Sequence, residues 1–314
     1  MENLIFSLNA TLPVFFTMLL GVLFRKVGLF DDALTAKLNR FVFQVALPVL
    51  LFQDISGADF YEVWDTTFVL FCFGATLLSI GISIGLSYLM KDKSRQGEFI
   101  QASYRSSAAI LGIAFIQNIY GSSGMAPLMI IGSVPLYNMM AVVVLSFFKP
   151  NHGKMNRKLL LETGKGILTN PIIIGIVVGL IWSVLRIPQP EILQKTVKNV
   201  SALATPLGLM AMGAAFDLKK AIAGIRPVLL AAFMKLAGLA ALFLPAAIAL
   251  GFRESYLVAI LIMLSSPATV SCYIMAKNMG HEGSFSSAAV MLTTLCSAFT
   301  LTGWLYLLRS LALI

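Results

Sequence analysis

Charge is what this sequence has least of. Only 12% of its 314 residues are Asp, Glu, Lys or Arg, against roughly 25% in soluble domains, while 58% are hydrophobic and the mean hydropathy is +0.88. A soluble chain of this size could not hide so much apolar side chain. Cysteine is scarce too. Cys72, Cys272 and Cys296 sit in apolar runs, odd in number and without metal-ligand spacing, which excludes a disulfide scaffold and a cysteine metal site. The only histidines, His152 and His281, stand apart from any acid or cysteine pair, and no HExxH, GxSxG, Walker or Rossmann pattern occurs. Neither an enzyme nor a directly ATP-driven pump is expected, and no cofactor or metal. Carboxylates are missing from the apolar stretches. All fourteen acidic residues fall in loops or at span ends, so no buried carboxylate is expected as a proton relay.

What remains is a set of charge-free runs at 3–24, 66–90, 106–148, 166–185, 199–216, 255–276 and 283–308. Most are close to the roughly twenty residues that a bilayer span needs. The run 106–148 must hold two spans, divided by Tyr120-Gly121-Ser122-Ser123-Gly124, a cluster of turn formers. Ten spans result, at about 5–24, 38–56, 66–89, 98–119, 127–148, 166–185, 196–216, 227–250, 254–276 and 284–308. Span 2 has the shortest charge-free core, 41–53, with Pro48 inside it; eight or nine spans is the alternative count. Alternate loops then carry sixteen and five Lys and Arg residues. The positive-inside rule puts both termini outside a plasma membrane, and the acidic loop with Asp54, Asp59, Glu62 and Asp65 agrees. The basic excess of +9 is thus topological and no sign of nucleic acid. Glu2 stands where a signal peptide has its basic region, so the first run is expected to stay as a span.

A shift of 158 residues lays Thr11, Pro13 and Gly21 on Thr169, Pro171 and Gly179, Ala46 and Pro48 on Ala204 and Pro206, and Asp59 on Asp217. The chain reads as two five-span copies, 1–148 and 166–314, joined by a cytoplasmic linker at 149–165. Five is odd, so the second copy enters the membrane from the opposite side. Inverted repeats of this kind characterise secondary transporters, whose sites lie near the midplane where helices break.

Two places are candidates for such breaks. Span 9 carries Ser265-Ser266-Pro267-Ala268-Thr269; proline lacks an N–H and crowds the preceding turn, so this is either a binding-site break or a simple kink. Span 4 carries Arg105-Ser106-Ser107-Ala108 and Gly112, a small-residue run that either unwinds or permits close helix packing. Pro48 and Pro206 are further hinge candidates. Two cations are left inside the membrane. Arg105 and Lys235 lie roughly 10–13 Å deep at about 1.5 Å per residue. Intramembrane charge is a functional hypothesis by default, and two positive charges without an acidic partner point to an anionic substrate such as a carboxylate. Snorkelling to the headgroups is the other reading, more readily for Arg105. Tyr137 and Asn138 follow Pro135 in span 5, placed to bond a ligand or to bridge helices.

These residues resemble the auxin efflux carrier family in its bacterial branch. The resemblance covers nearly the whole chain. It rests on Leu38-Asn39-Arg40, Ala46-Leu47-Pro48, Leu51-Phe52, Val134-Pro135-Leu136-Tyr137-Asn138 and Thr169-Asn170-Pro171. Pro206-Leu207-Gly208-Leu209, Gly213, Lys235, Pro245, Ser266-Pro267-Ala268-Thr269 and Ala276-Lys277 continue it. The resemblance implies an all-α polytopic protein of ten helices in two inverted repeats, similar to bile-acid transporters and bacterial sodium/proton antiporters. Helices 1, 2, 6 and 7 would be a scaffold; helices 3–5 and 8–10 would be a transport domain with broken crossover helices 4 and 9. It implies an elevator-type carrier of auxin-like or dicarboxylate anions and a homodimer. The sequence departs from the family pattern R-x-N-x-x-x-x-G-x-P at Ser107 and Ala114, keeping Arg105 and Gly112.

The expected function is secondary transport of small organic anions, with a membrane-embedded anion receptor or a passive anion channel as alternatives. The expected substrate set is Arg105, Ser106, Ser107, Gly112, Tyr137, Asn138, Lys235, Ser266, Pro267 and Thr269; the hinges are Gly112, Ala114, Pro267, Pro48 and Pro206. Coupling would use a proton or sodium ion, or Lys235 itself, whose protonation can replace a bound cation.

Overall fold

The computed structural model describes residues 2–57, 64–108, 116, 119–120, 125–150 and 157–314. Within them the chain is helical and contains no strand. Five helices are long and apolar enough to cross a membrane: Asp32–Ser56, Thr66–Ser87, Ala126–Phe147, Ile225–Ala249 and Ser284–Ser310. Pro171–Val184 and Glu254–Ser265 are apolar but shorter.

In chain order α1 is Glu2–Lys26, α2 Asp32–Phe41, α3 Leu47–Ser56 and α4 Thr66–Ser87. Helix α5 is Gln96–Tyr104, α6 Ala126–Phe147 and α7 Arg157–Leu168, the last occupying much of the stretch read as a linker. The second half runs α8 Pro171–Val184, α9 Glu191–Ser201, α10 Ala204–Ala214, α11 Leu218–Ala223 and α12 Ile225–Phe233. It closes with α13 Leu239–Ala249, α14 Glu254–Ser265, α15 Ser271–Asn278 and α16 Ser284–Ser310.

Most of the interruptions have chemical causes. Between α2 and α3 the helix widens into a π turn, Val42–Ala46, immediately before Pro48; the wider turn absorbs the missing N–H of proline without breaking the span. The corresponding Pro206 lies in the first turn of α10, just after the chain leaves helical bonding at Ala202-Leu203. A second π turn, Met234–Gly238, joins α12 to α13 and carries Lys235. At the base of α5, Asp92 accepts from Ser94 Oγ (2.6 Å) and Ser94 N–H (3.0 Å) and pairs with Arg95. The Ser94 bonds and the neighbouring guanidinium hold this carboxyl below its usual range and close the turn from which α5 starts.

Two helix pairs pack at backbone contact. Helix α1 lies on α10 and α3 on α8. A Cβ on Gly21 would sit 2.1 Å from the Met210 carbonyl oxygen, and one on Gly213 2.0 Å from that of Met18. On the other pair, a Cβ on Gly175 would sit 2.5 Å from the Pro48 carbonyl oxygen, and one on Gly179 3.2 Å from Phe52 Cα. Small residues let membrane helices approach this closely, and dispersion then holds them together. The offset of 158 takes Gly21 to Gly179 and Phe52 to Met210, so each pair repeats the other with its partners exchanged.

Candidate functional site

Helix α14 stops at Ser265, the chain runs extended from Ser266 (φ −72°, ψ 158°), and α15 resumes at Ser271. Proline explains the stop. Pro267 has no N–H to offer the carbonyl of Met263 one turn back, and the next N–H, that of Ala268, donates instead to Thr293 Oγ1 at 3.1 Å. Two acceptors at the end of α14 are therefore orphaned. The Met263 carbonyl receives both Ser106 Oγ and Tyr137 Oη, the latter at 2.9 Å. The Leu264 carbonyl receives Lys235 Nζ at 2.5 Å. A cation at a helix C-terminus also opposes the dipole favourably.

The first half breaks without a proline. Helix α5 ends at Tyr104, Arg105 is extended (φ −78°, ψ 128°), and residues 105–107 lie outside any helix. Of the two sequence readings of this run, unwinding is the one observed at Arg105–Ser107. Tertiary bonds hold it open: the Ser107 N–H donates to the Pro267 carbonyl at 2.9 Å, and Ser106 donates to Met263. The two breaks are thus joined to each other. Helix α5 is fixed from below by Glu98, whose carboxylate accepts from Gly283 N–H (3.0 Å) and Ser286 N–H (2.8 Å) at the start of α16. Gly283 is left-handed (φ +79°), and a Cβ there would meet the Tyr273 ring at 3.0 Å. Above, Gln101 Nε2 donates to the Cys272 carbonyl at 2.8 Å.

A cavity of about 70 Å³ opens where the breaks meet. At about 10–15 Å³ for each water, it holds a handful of waters or a small carboxylate. Its polar lining is Asp54, Arg105, Ser106, Ser107, Tyr137, Asn138, Thr205, Thr269 and Ser271; Leu47, Leu50, Leu51, Val134 and Val270 supply apolar wall. Arg105, 3% exposed, donates through Nη2 to Asn138 Oδ1, while Nη1 lies 2.8 Å from Met275 Sδ. Asn138 is itself oriented by donating to the Val134 carbonyl at 2.9 Å. Tyr104 packs against Tyr137 at 5.9 Å between ring centroids and donates to its carbonyl at 3.2 Å. Among the described residues Arg105 forms no salt bridge. A guanidinium has five N–H donors in a planar fork, so it keeps donors for a ligand.

Of the residues singled out from the sequence, Arg105, Ser106, Ser107, Tyr137, Asn138 and Thr269 come together in this lining. Lys235 (0% exposed), Ser266 and Pro267 are not part of it: they stand behind it, in the hydrogen-bonded knot that ends α14. Gly112 and Ala114 fall outside the described residues. The expectation about carboxylates needs correction. Glu98 is fully buried, where it caps α16, and Asp54 lies on the cavity wall. The sequence groups Asp54 with the acidic loop after span 2, but it lies inside the last turns of that span: α3 runs through Ser56, where the bounds 38–56 end. Leu47, Leu50, Leu51 and Asp54 have the spacing i, i+3, i+4, i+7, which puts them on one helix face. That spacing was the available signal. Ser271 stands among the small hydroxyl residues around Pro267 in span 9, whereas Thr205 carries no such signal.

All-α with no strand among the described residues, and with an arginine-bearing cavity at the junction of two broken helices, the chain is a membrane transport protein. Residues 6–305 match the family described as membrane transport protein. The match is to the auxin efflux carriers, and the chain belongs to that family. Over 96% of its length it is 24% identical to a protein of Rhizobium meliloti (strain 1021), of which it covers 96% and whose name proposes malonate transport. The chain is a transporter, not an enzyme.

Proposed function

We propose that this transporter is a secondary carrier of small organic anions, working by elevator-type alternating access. The observation that carries the reading is Arg105: a buried guanidinium without a carboxylate partner among the described residues, facing a cavity at the meeting point of two helix breaks. Burying such a charge is costly unless a counter-charge arrives, and a substrate carboxylate supplies one with bidentate geometry. The similarity to a protein named for malonate transport favours dicarboxylates. Arg105, Ser106, Ser107, Asn138, Tyr137 and Thr269 would touch the substrate, with Gly112 beyond the first break. Lys235, Ser266 and Pro267 would shape the second break from behind.

The architecture we infer has ten spans in two inverted five-helix repeats, 1–148 and 166–314 around the segment 149–165. The exchanged contacts of Gly21 with Met210 and of Gly179 with Phe52 support it, because a two-fold pseudosymmetry generates such reciprocal pairs. The glycine-packed helices α1, α3, α8 and α10 suit a scaffold, against which the segments around the breaks move with Pro48, Pro206, Gly112, Ala114 and Pro267 as hinges. Sixteen basic residues on one side and five on the other favour both termini outside the plasma membrane. A homodimer through the scaffold completes the reading.

A thermal-shift screen of the purified protein against organic acids, followed by flux of the hits in proteoliposomes, tests it. Stabilisation by malonate or related acids and saturable flux are expected. Stabilisation by cations or neutral solutes alone would sink the anion reading. Binding without flux would indicate a receptor, and flux without saturation a channel.

A further inference from the structure

We propose that Asp54 is the proton-carrying group of this carrier, so that each organic anion bound beside Arg105 is accompanied by one proton on the Asp54 carboxylate. This rests on the anion-carrier reading and deepens it by naming the coupling ion and the residue that holds it.

The argument starts from what surrounds Asp54. Its side of α3 presents Leu47, Leu50 and Leu51 to the cavity, and among the described residues no hydrogen bond or ion pair is formed by its carboxylate. Arg105 lines the same cavity but is engaged by Asn138 and Met275. The elements packed on α3 bring no compensating charge. Helix α8 has no ionisable residue, and neither has the π turn Val42–Ala46. Helix α9 carries Glu191, Lys195 and Lys198, all solvent-exposed, and the first two pair with each other at 2.6 Å. The other titratable and charged groups that line the same cavity are Arg105 and Tyr137.

An anion entering so small a space adds a second negative charge beside the first. Two carboxylates sharing one poorly solvated site do not both stay ionised, and the pair binds a proton between them. Because the anion is held by the guanidinium, the proton goes to Asp54. An O–H bond forms there with a proton from the water on the side of entry. The same bond breaks when the anion leaves on the other side. Asp54 stays with α3 on the scaffold while Arg105 and the anion move, so the proton is released from it once the cavity has opened to the other side, and anion and proton cross in the same direction.

Calorimetric titration of the purified full chain with malonate, in buffers of differing ionisation enthalpy, counts the protons taken up. Between about pH 7 and 9, where malonate is fully ionised, wild type is expected to take up about one proton per malonate and to lose up to about tenfold in affinity per pH unit. Asp54→Asn should take up none and bind with a flat pH profile; Asp54→Glu should restore proton uptake and slope. Wild-type proton uptake persisting in Asp54→Asn, or malonate binding to wild type with no proton taken up, overturns the assignment and leaves the carrier reading standing. Absence of malonate binding at every pH defeats the carrier reading, and the assignment falls with it.

Discussion

The two helix breaks do the same thing by different means. The break at Ser266–Val270 is made by covalent chemistry: Pro267 removes an N–H, and the orphaned carbonyls of Met263 and Leu264 are then taken up by Ser106, Tyr137 and Lys235. The break at Arg105–Ser107 has no proline and is held open from outside by its bonds to Met263 and Pro267. Each break has a buried cation beside it, and these differ in turn. Lys235 is occupied by a backbone carbonyl that the proline freed, whereas Arg105 faces the cavity with donors to spare. A proline break therefore consumes donors, while a break stabilised by its neighbours leaves its own cation available. On the proposed reading, the charge for a substrate comes from the first half and the acceptor framework from the second.

The largest expected effect bears on that asymmetry. Arg105→Met should weaken malonate binding by over 100-fold, since truncating a buried charged partner costs about 3 kcal/mol or more; equilibrium binding by calorimetry or scintillation proximity checks it. Asn138→Ala should cost roughly tenfold. It removes the acceptor that orients the guanidinium, worth about 1–2 kcal/mol, and the loss should appear as a higher Kd with Arg105 still intact. The smallest effect on affinity belongs to Lys235→Met, within about threefold of wild type. Its signature is a lower melting temperature, because the Leu264 carbonyl loses its donor at a cost of about 1–3 kcal/mol. A Lys235→Met affinity that falls as far as that of Arg105→Met would make the two cations equivalent and erase the comparison.

Much of this site could be read from the sequence, and the boundary of what could is physical. Pro267 marks its own break, because a missing N–H is a covalent property of the residue. Arg105 and Asn138 stand out as polar groups in apolar runs, where burial demands partners. The roles of Arg105 and Lys235 could not be separated, because that depends on which carbonyls lack donors after folding. Nor could the state of the Arg105–Ser107 run be settled, since the donors and acceptors that hold it open lie more than 150 residues away at Met263 and Pro267. Asp54 shows a third kind of limit. Its neighbours in sequence are acidic and loop-like, and only the helical spacing from Leu47 to Asp54 points it at the cavity.

The most direct test of the central claim is counterflow. Proteoliposomes loaded with unlabelled malonate and diluted into labelled malonate should accumulate label transiently above equilibrium with wild-type protein and not with Arg105→Met. Equal accumulation by both proteins, or none by wild type, would contradict an anion carrier whose substrate is held by Arg105.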